Sequence, residues 1–190
     1  MLGMIILMKN NIKIQEPKAF INNLNLMSGN VEYYQKQFKD IKKYYLNSDG
    51  YSDIINMYEV YSFENEIDNS MSLNYGLTVL HAIDINQECN FTRGHVHENM
   101  DCAEIYVCSE GQGLLLLMDN NECNIEKMYP GSIHYISGKY AHRLVNIGDC
   151  DLKVYATWSP KAGHDYKKTE SCPFKYRIFK IEGEVTIKEI

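Results

Sequence analysis

The sequence has no excess of positive charge, no paired-cysteine motif and no long hydrophobic run, and each absence excludes a class of protein. Its 190 residues carry 19 lysines and arginines against 25 aspartates and glutamates, a formal net charge of −6 at pH 7. Without a basic block to displace counterions from phosphates, a nucleic-acid partner is not expected. The apolar opening Met1–Met8 is too short to span a bilayer and lacks the features of a signal peptide, so no membrane association is expected.

The cysteine pattern bears on the cellular compartment. The six cysteines show neither a C-x-x-C pair nor the spacing of a secreted disulfide framework. Because no export signal is recognised, we expect free thiols and a cytoplasmic protein. No internal repeat, low-complexity segment or Pro/Gly/Ser-rich linker divides the chain, and its length suffices for a sizeable core.

Periodicity divides the chain into two unequal parts. Apolar residues recur at helical spacing between residues 31 and 46, which predicts an amphipathic helix there. From about residue 57 onward, short segments rich in β-branched and aromatic residues alternate with turn signals, which favours an antiparallel sandwich or barrel. A last hairpin is predicted around Gly183. The sequence thus predicts an N-terminal extension over 1–56, its helix packed on an all-β domain over 57–190.

Four residues have the chemistry of a metal-ligand set, and these are His95, His97, Glu104 and His142. Successive strand side chains point to opposite faces, so His95 and His97 share one face of a strand predicted over 91–97. Three imidazole nitrogens and one carboxylate oxygen suit a divalent transition metal, and four protein ligands leave two positions of an octahedral ion open for a substrate. His81 and His134 lie outside the pattern and are interpreted as ordinary strand residues.

The residues around this set resemble the two sequence motifs of the cupin family. The segment 94–111 resembles the first motif, and 131–146 falls in register with the second. Ser137 and Lys139 replace the usual Pro and Gly, and the gap of six residues before the glutamate is longer than usual. The resemblance implies a single cupin barrel, also described as a double-stranded β-helix or jelly roll.

The longer gap, together with Ala162-Gly163-His164-Asp165-Tyr166, makes the sequence similar to the cupin-type glucose-6-phosphate isomerases, known mainly from archaea. The resemblance covers about residues 58–181. It implies interconversion of glucose 6-phosphate and fructose 6-phosphate in glycolysis and gluconeogenesis, and a homodimer. It also implies one divalent transition metal per subunit, with Fe²⁺ expected first and Mn²⁺, Ni²⁺ or Zn²⁺ as alternatives.

The same resemblance implies roles for individual residues. The residues it places around the substrate are Thr78, Thr92, Gly94, Tyr106, Trp158 and Tyr166. Thr78, Thr92 and the Gly94 backbone would bind the phosphate, since hydroxyls and amides donate charge-assisted hydrogen bonds. Trp158, the single tryptophan, stands where the family has a tyrosine. Arg93 and Arg143 flank the motifs, but strand alternation points each away from its neighbouring ligand, and both are left out of the predicted site.

The predicted catalytic residues are Glu104, His164 and Tyr106. Glu104 would accept a proton from C2 and return it at C1, with a metal-assisted hydride shift as the competing route. His164, Tyr106 or Tyr166 would assist ring opening. Two other functions stay open at this point: a cupin dioxygenase with a three-His, one-Glu iron site, and a non-catalytic sugar-sensing module.

Overall fold

The computed structural model describes residues 17–64, 72–119 and 122–190, and most of the ordered elements are β-strands. The strands are β1 Ala19–Ile21, β2 Met27–Gly29, β3 Glu32–Gln37, β4 Asn56–Phe63, β5 Asn74–Leu80, β6 Asp84–Ile85, β7 Glu88–Cys89, β8 Glu104–Glu110, β9 Gly113–Met118, β10 Cys123–Met128, β11 Ile133–Ile136, β12 Ala141–Asn146, β13 Leu152–Trp158, β14 Tyr176–Ile181 and β15 Glu184–Glu189. Two short helices, α1 Phe38–Ile41 and α2 Tyr166–Ser171, and a 3₁₀ turn at Lys42–Tyr44 accompany them. The predicted all-β class is confirmed. The first 16 residues of the predicted extension lie outside the described ranges.

Two antiparallel sheets form the barrel. The larger has the strand order β11-β8-β13-β5-β4-β3, and the smaller has the order β10-β9-β12. Buried side chains of both sheets, such as Leu80, Leu115 and Val154, belong to one hydrophobic core. Strand β9 reads Gly-Leu-Leu-Leu-Leu-Met, lies between two partners in its sheet and is buried along its whole length. This double-sheet arrangement is the jelly-roll barrel that the sequence predicts.

The helix predicted between residues 31 and 46 is wrong over its first half. Strand β3 occupies that stretch and pairs antiparallel with β4, so it forms the edge of the large sheet. Only Phe38–Ile41 is α-helical, and Phe38 and Ile41 are the residues of the predicted apolar stripe that the helix buries. A short isolated helix is marginal in water, whereas the open edge of β4 offers a full ladder of backbone hydrogen bonds.

Three features of the chain after residue 90 position the site. The predicted strand 91–97 is not a regular strand: it meets its neighbours only in isolated bridges, with His95 opposite His142 and Val96 opposite Asp165. Helix α2, which the sequence reading missed, begins after Asp165, whose side chain accepts hydrogen bonds from the backbone N–H groups of Lys167 and Lys168. The C-terminal hairpin of β14 and β15 turns at Gly183, as predicted.

None of the helices in the described ranges has the length and apolar character needed to cross a lipid bilayer.

Candidate metal centre and substrate cavity

The register of the large sheet aligns predicted site residues on its inner face. Glu104 lies opposite Trp158, and Tyr106 lies opposite Ala156 on the same strand pair. Thr78 pairs with Val154 on the next strand along. Because residues two apart on a strand share a face, these side chains all point to the interior. Every predicted site residue except the buried His97 lines one cavity of about 280 Å³.

The four predicted metal ligands converge at this cavity. One ligand atom from each of His95, His97, Glu104 and His142 lies within 4.8 Å of all the others. Glu104 comes from β8 and His142 from β12, whereas the other two imidazoles come from the irregular segment bridged to β12. Residues far apart in sequence therefore meet because two sheets close on each other.

Hydrogen bonds to backbone carbonyls orient two of the imidazoles. The Nδ1 atom of His97 lies 2.7 Å from the Cys102 carbonyl, and that of His142 lies 3.2 Å from the Tyr140 carbonyl. With Nδ1 as the donor, each ring presents Nε2 to the centre of the cluster. These Nε2 atoms lie 3.2 Å and 3.3 Å from the same carboxylate oxygen of Glu104.

Two imidazole nitrogens without hydrogen-bond partners show whether the cluster fits a metal. Among the described residues, the Nε2 atoms of His95 and His142 are buried and have no hydrogen-bond partner. The His142 atom is near the Glu104 carboxylate but is not aligned to bond with it. Buried polar atoms normally have partners, and two such nitrogens beside a carboxylate are the donor set of a divalent transition metal. The residues present therefore fit the ion that the sequence predicts.

The electrostatics of the cluster keep the carboxylate charged. Burial by itself would raise the pKa of Glu104, but the adjacent imidazoles of His142 and His97 more than offset it and hold that pKa below its usual value. Burial, reinforced by His142, His164 and His97, lowers the pKa of His95 well below its usual value. His95 is therefore neutral at pH 7, as a metal ligand must be.

Aromatic side chains surround the cluster on the cavity side. The ring of His164 meets His95 edge-on, with centroids 4.3 Å apart, and Tyr166 lies 5.7 Å from His95. The ring centroid of Tyr106 is 5.8 Å from that of His142. Burial, followed by the charge of Glu104, raises the pKa of Tyr106 well above its usual value, so its phenol stays protonated. Partial burial lowers the pKa of His164.

The predicted phosphate-binding residues lie on neighbouring elements. The Thr92 hydroxyl oxygen accepts a hydrogen bond of 3.1 Å from the backbone N–H of Leu144, which leaves its own proton for another acceptor. Gly94 has a φ of +78°, and a Cβ there would lie 3.0 Å from the His142 carbonyl oxygen and 2.8 Å from the Phe174 ring. No larger residue fits at Gly94 without moving the chain next to the ligands.

Sequence comparisons decide the family. The sequence model of the glucose-6-phosphate isomerase family matches residues 35–185. The chain belongs to the glucose-6-phosphate isomerase family. The isomerase of Thermococcus litoralis is 30% identical over 187 residues, covering 94% of this chain and 97% of the relative. That of Thermococcus kodakarensis is 33% identical over 157 residues, covering 80% and 82%. That of the bacterium Sinorhizobium medicae is 31% identical over 164 residues, covering 81% and 76%.

This finding confirms the predicted family and the predicted enzyme class. Solved structures with a related shape include oxalate oxidase in complex with the substrate analogue glycolate, at a TM-score of 0.45 and 10% identity, covering 73% of this chain and 56% of that one. A cupin-2 domain from Rhodospirillum rubrum has a TM-score of 0.43 and 10% identity, covering 56% and 62%.

Two arginines that the sequence reading left out belong to the cavity of this family member. Arg93 and Arg143 both line it. Arg93 lies in the irregular segment 91–97, which does not keep the alternation of a strand, whereas Arg143 lies in the regular strand β12. The Arg93 guanidinium stacks 4.3 Å from the ring centroid of Tyr166. That of Arg143 lies 4.3 Å from the Phe174 ring centroid, and its Nη2 donates to the Arg93 carbonyl at 2.8 Å.

Other lining residues were missed or left undecided. Of the two tyrosines that the sequence reading could not separate, Tyr58 lines the cavity, whereas Tyr61 bonds to Glu59 on the outer face. Tyr34 also lines the cavity but was hidden by the wrong helix prediction, and the pairing of β3 with β4 is the signal that places it.

The remaining histidines lie outside the cavity, as interpreted from the sequence. His81 pairs with Asp151 at 3.1 Å. His134 lies between Glu126, at 2.6 Å, and Ser132, at 2.8 Å.

Proposed function

We propose that this chain interconverts glucose 6-phosphate and fructose 6-phosphate in the cavity above its His/Glu cluster. One observation carries the proposal: in a member of this isomerase family, four potential metal ligands lie within 4.8 Å of one another, and three of them line a cavity of about 280 Å³. The cavity is polar on the metal side, has donors for a phosphate, and is large enough for a sugar.

We assign His95, His97, Glu104 and His142 as ligands of one divalent transition metal per subunit. Fe²⁺ is our first expectation, and Mn²⁺, Ni²⁺ or Zn²⁺ are alternatives, because imidazole and carboxylate ligands suit all four. Bound there, the ion supplies Lewis-acid polarisation of the oxygens at C1 and C2 of the open-chain sugar. The rest of the reaction is assigned to side chains of this protein.

Glu104 is assigned as the base that moves the proton. It is ionised in this environment, since His142 and His97 hold its pKa below the usual value, and it faces the cavity. In this route one carboxylate oxygen takes the proton from C2 and returns it to C1 on the same face of the sugar. The competing route is a direct shift of hydride from C2 to C1, for which no base is needed.

His164 and two tyrosines are assigned to ring opening. The neutral imidazole of His164, whose pKa is lowered by partial burial, can accept the proton of the anomeric hydroxyl. The protonated phenols of Tyr106 and Tyr166 can donate to the ring oxygen as it becomes a hydroxyl. Trp158 supplies an apolar wall, and a Cβ on Gly76 of the neighbouring strand would lie 3.0 Å from its ring, so the glycine makes room for the indole.

The phosphate is assigned to the end of the cavity formed by Thr78, Thr92 and Gly94. Hydroxyl and backbone N–H groups there would donate hydrogen bonds to the phosphate dianion. Arg93 and Arg143 line the same cavity and add the positive charge that the sequence reading did not expect there. Burial, followed by repulsion from Arg177, lowers the pKa of Arg143 to about 10, which still leaves it charged at pH 7.

We also propose a cytoplasmic homodimer. All six cysteines are free, which suits a reducing compartment. On the outer face of the large sheet, Ile105 lies opposite Tyr135, and both are exposed beside exposed Ile133. A contiguous apolar patch of this kind favours association. Light scattering of the purified protein tests the dimer, and Tyr135→Glu should shift it towards the monomer.

A coupled assay tests the reaction. Metal-stripped protein is incubated with Fe²⁺, Mn²⁺, Ni²⁺ or Zn²⁺ and supplied with fructose 6-phosphate, and the formation of glucose 6-phosphate is followed. Turnover that needs a divalent metal and no oxygen supports the proposal. Oxygen consumption, and loss of activity on replacing iron by manganese, would instead indicate a dioxygenase. Ligand binding without turnover under every metal would indicate a sensing module.

A further inference from the structure

A second cavity, of about 370 Å³, lies beside the first and shares one residue, Arg143, with it. The residues that define its chemistry come from the 3₁₀ turn, from β12, from the region of α2 and from β14, and they are Lys43, Tyr44, Arg143, Glu170, Phe174 and Arg177. Apart from Arg143, none of the residues assigned above to catalysis or substrate binding lines this cavity.

The lining is mainly cationic. Lys43, Arg143 and Arg177 are positively charged, and Glu170 is the single carboxylate that lines the cavity. Glu170 is already engaged, because Lys43 and Arg93 bond to the same oxygen at 2.8 Å and 2.9 Å. Arg177 is paired with Glu88, which is almost fully buried, at 2.7 Å. Both arginines line the cavity, whereas Glu88 is not among its lining residues.

Unpaired donors on these two arginines indicate what the cavity binds. Among the described residues, the Nε atoms of Arg143 and Arg177 are both buried and have no hydrogen-bond partner. Other atoms of each group are fixed: Arg143 Nη2 bonds to the Arg93 carbonyl at 2.8 Å, and Arg177 Nη1 bonds to the Tyr44 carbonyl at 2.8 Å. A buried charged donor left unpaired is costly, and both arginine side chains line this cavity.

We infer that this second cavity binds a phosphorylated small molecule, whose phosphate accepts hydrogen bonds from Arg143 and Arg177. Guanidinium groups favour phosphate because their planar N–H donors match its oxygens. Lys43 adds a third positive charge from a more exposed position. The rings of Tyr44 and Phe174 provide an apolar wall for the rest of the molecule. Arg177 and Lys43 do not line the catalytic cavity, so they report on the second cavity alone.

Side-chain NMR of the ¹⁵N-labelled intact protein tests the inference. The Nε–H signal of Arg177 is assigned by its loss in Arg177→Lys, and the protein is titrated with inorganic phosphate and then with glycerol 3-phosphate. We expect the signal to shift saturably with both, and not with chloride at matched ionic strength. The response should persist in Thr78→Val, which removes a proposed donor of the catalytic phosphate site. An equal response to chloride, or one that Thr78→Val abolishes, would overturn the inference.

Two further variants measure the affinity for phosphate, the first at the Arg177 signal and the second by calorimetry. Lys43→Gln should weaken phosphate binding several-fold, whereas Lys42→Gln, which removes the neighbouring charge paired with Asp53 at 2.9 Å, should not. The double variant Glu88→Gln/Arg177→Gln removes one charge-assisted donor. Calorimetry should show phosphate binding weakened about tenfold or more. The double variant serves if Arg177→Lys does not fold, because it does not leave the charge of the buried Glu88 without a partner. Unchanged affinity in both Lys43→Gln and the double variant contradicts the assignment.

Discussion

His95 and His142 exchange two backbone hydrogen bonds across an isolated antiparallel bridge. The His95 N–H donates to the His142 carbonyl at 3.2 Å, and the His142 N–H donates to the His95 carbonyl at 2.9 Å. Their ring centroids are 4.3 Å apart. The backbone therefore sets the distance between two proposed metal ligands before any ion binds, which is the kind of support that keeps a metal site preorganised.

Replacing a single proposed ligand should reduce both metal content and turnover. We expect His97→Ala and His142→Ala to lose about 10–100-fold in metal affinity or activity, the loss that even an outer-shell contact commonly causes. Metal content is measured by atomic emission on the purified variants. His81→Ala, outside the cavity, is the matched control and should keep its metal. Full occupancy and an unchanged rate in either ligand variant would remove that residue from the centre.

Changes at the proposed phosphate end should act on substrate binding. Thr78→Val keeps the shape of the side chain but removes its hydroxyl, and should raise KM more than it lowers kcat. Thr92→Ala should do the same and also cost about 1 kcal/mol in the free energy of unfolding, because Thr92 accepts a hydrogen bond from Leu144. Thr92→Ser keeps the hydroxyl and serves as the control. An unchanged KM for fructose 6-phosphate in both alanine and valine variants would place the phosphate elsewhere.

Substitutions of Glu104 should separate its roles as ligand and as base. Glu104→Gln keeps one coordinating oxygen but cannot accept a proton, so a metal-replete variant should lose about 10²–10⁴-fold in kcat. Glu104→Ala should lose metal as well. The native reaction run in D₂O should carry solvent deuterium to C1 if a proton moves through the carboxylate. Near-normal turnover of the Gln variant, with no deuterium uptake by the native enzyme, would favour a hydride shift.

The carboxylate of Glu170 should give the protein a pH-dependent increment of stability. Hydrogen bonds from Lys43 and Tyr44 lower the pKa of Glu170 from its ordinary 4.5 to about 2. A carboxylate with a depressed pKa in the folded state stabilises it above pH 4.5, and this contribution is lost as the pH falls towards 2. The Tm difference between the native protein and Glu170→Gln should therefore shrink over that range.

Salt and a second glutamate provide the controls for that measurement. Glu170 is partly exposed, so the effect is modest and should weaken at high ionic strength. Glu184→Gln, an exposed change on β15, should give no comparable pH-dependent difference. A Tm gap for Glu170→Gln that grows as the pH falls would contradict the assigned ion pairs.

The His/Glu cluster could be predicted from the sequence because its residue types and their spacing form a recognisable pattern. Two histidines two residues apart, a glutamate and a later histidine specify a donor set whatever the details of the backbone, and the structure brings all four together. The strands of the barrel were also recognisable, because short segments rich in β-branched and aromatic residues alternate with turn signals. The final hairpin at Gly183 was found in the same way.

The predictions from sequence were wrong where contacts with other segments outweigh the local conformational preference of the residues. The stretch around Tyr34 has apolar residues at helical spacing, yet it forms a strand because β4 has an open edge to pair with. Arg93 was expected to point away from the site, but the segment around it forms only isolated bridges, and the side chain lines the cavity. Neither the free edge nor the broken alternation can be read from the residues themselves.

The sequence by itself determined the fold class, the family and the residue types of the proposed metal ligands, because these depend on residue types and spacings along one chain. Only the tertiary structure decided the positions of Arg93 and Arg143, the strand at residues 32–37 and the second cavity. These depend on contacts between segments distant in sequence: Arg177 on β14 meets the turn at Tyr44 through a 2.8 Å hydrogen bond. Such contacts form only when the barrel closes, since closure brings groups together that no local pattern relates.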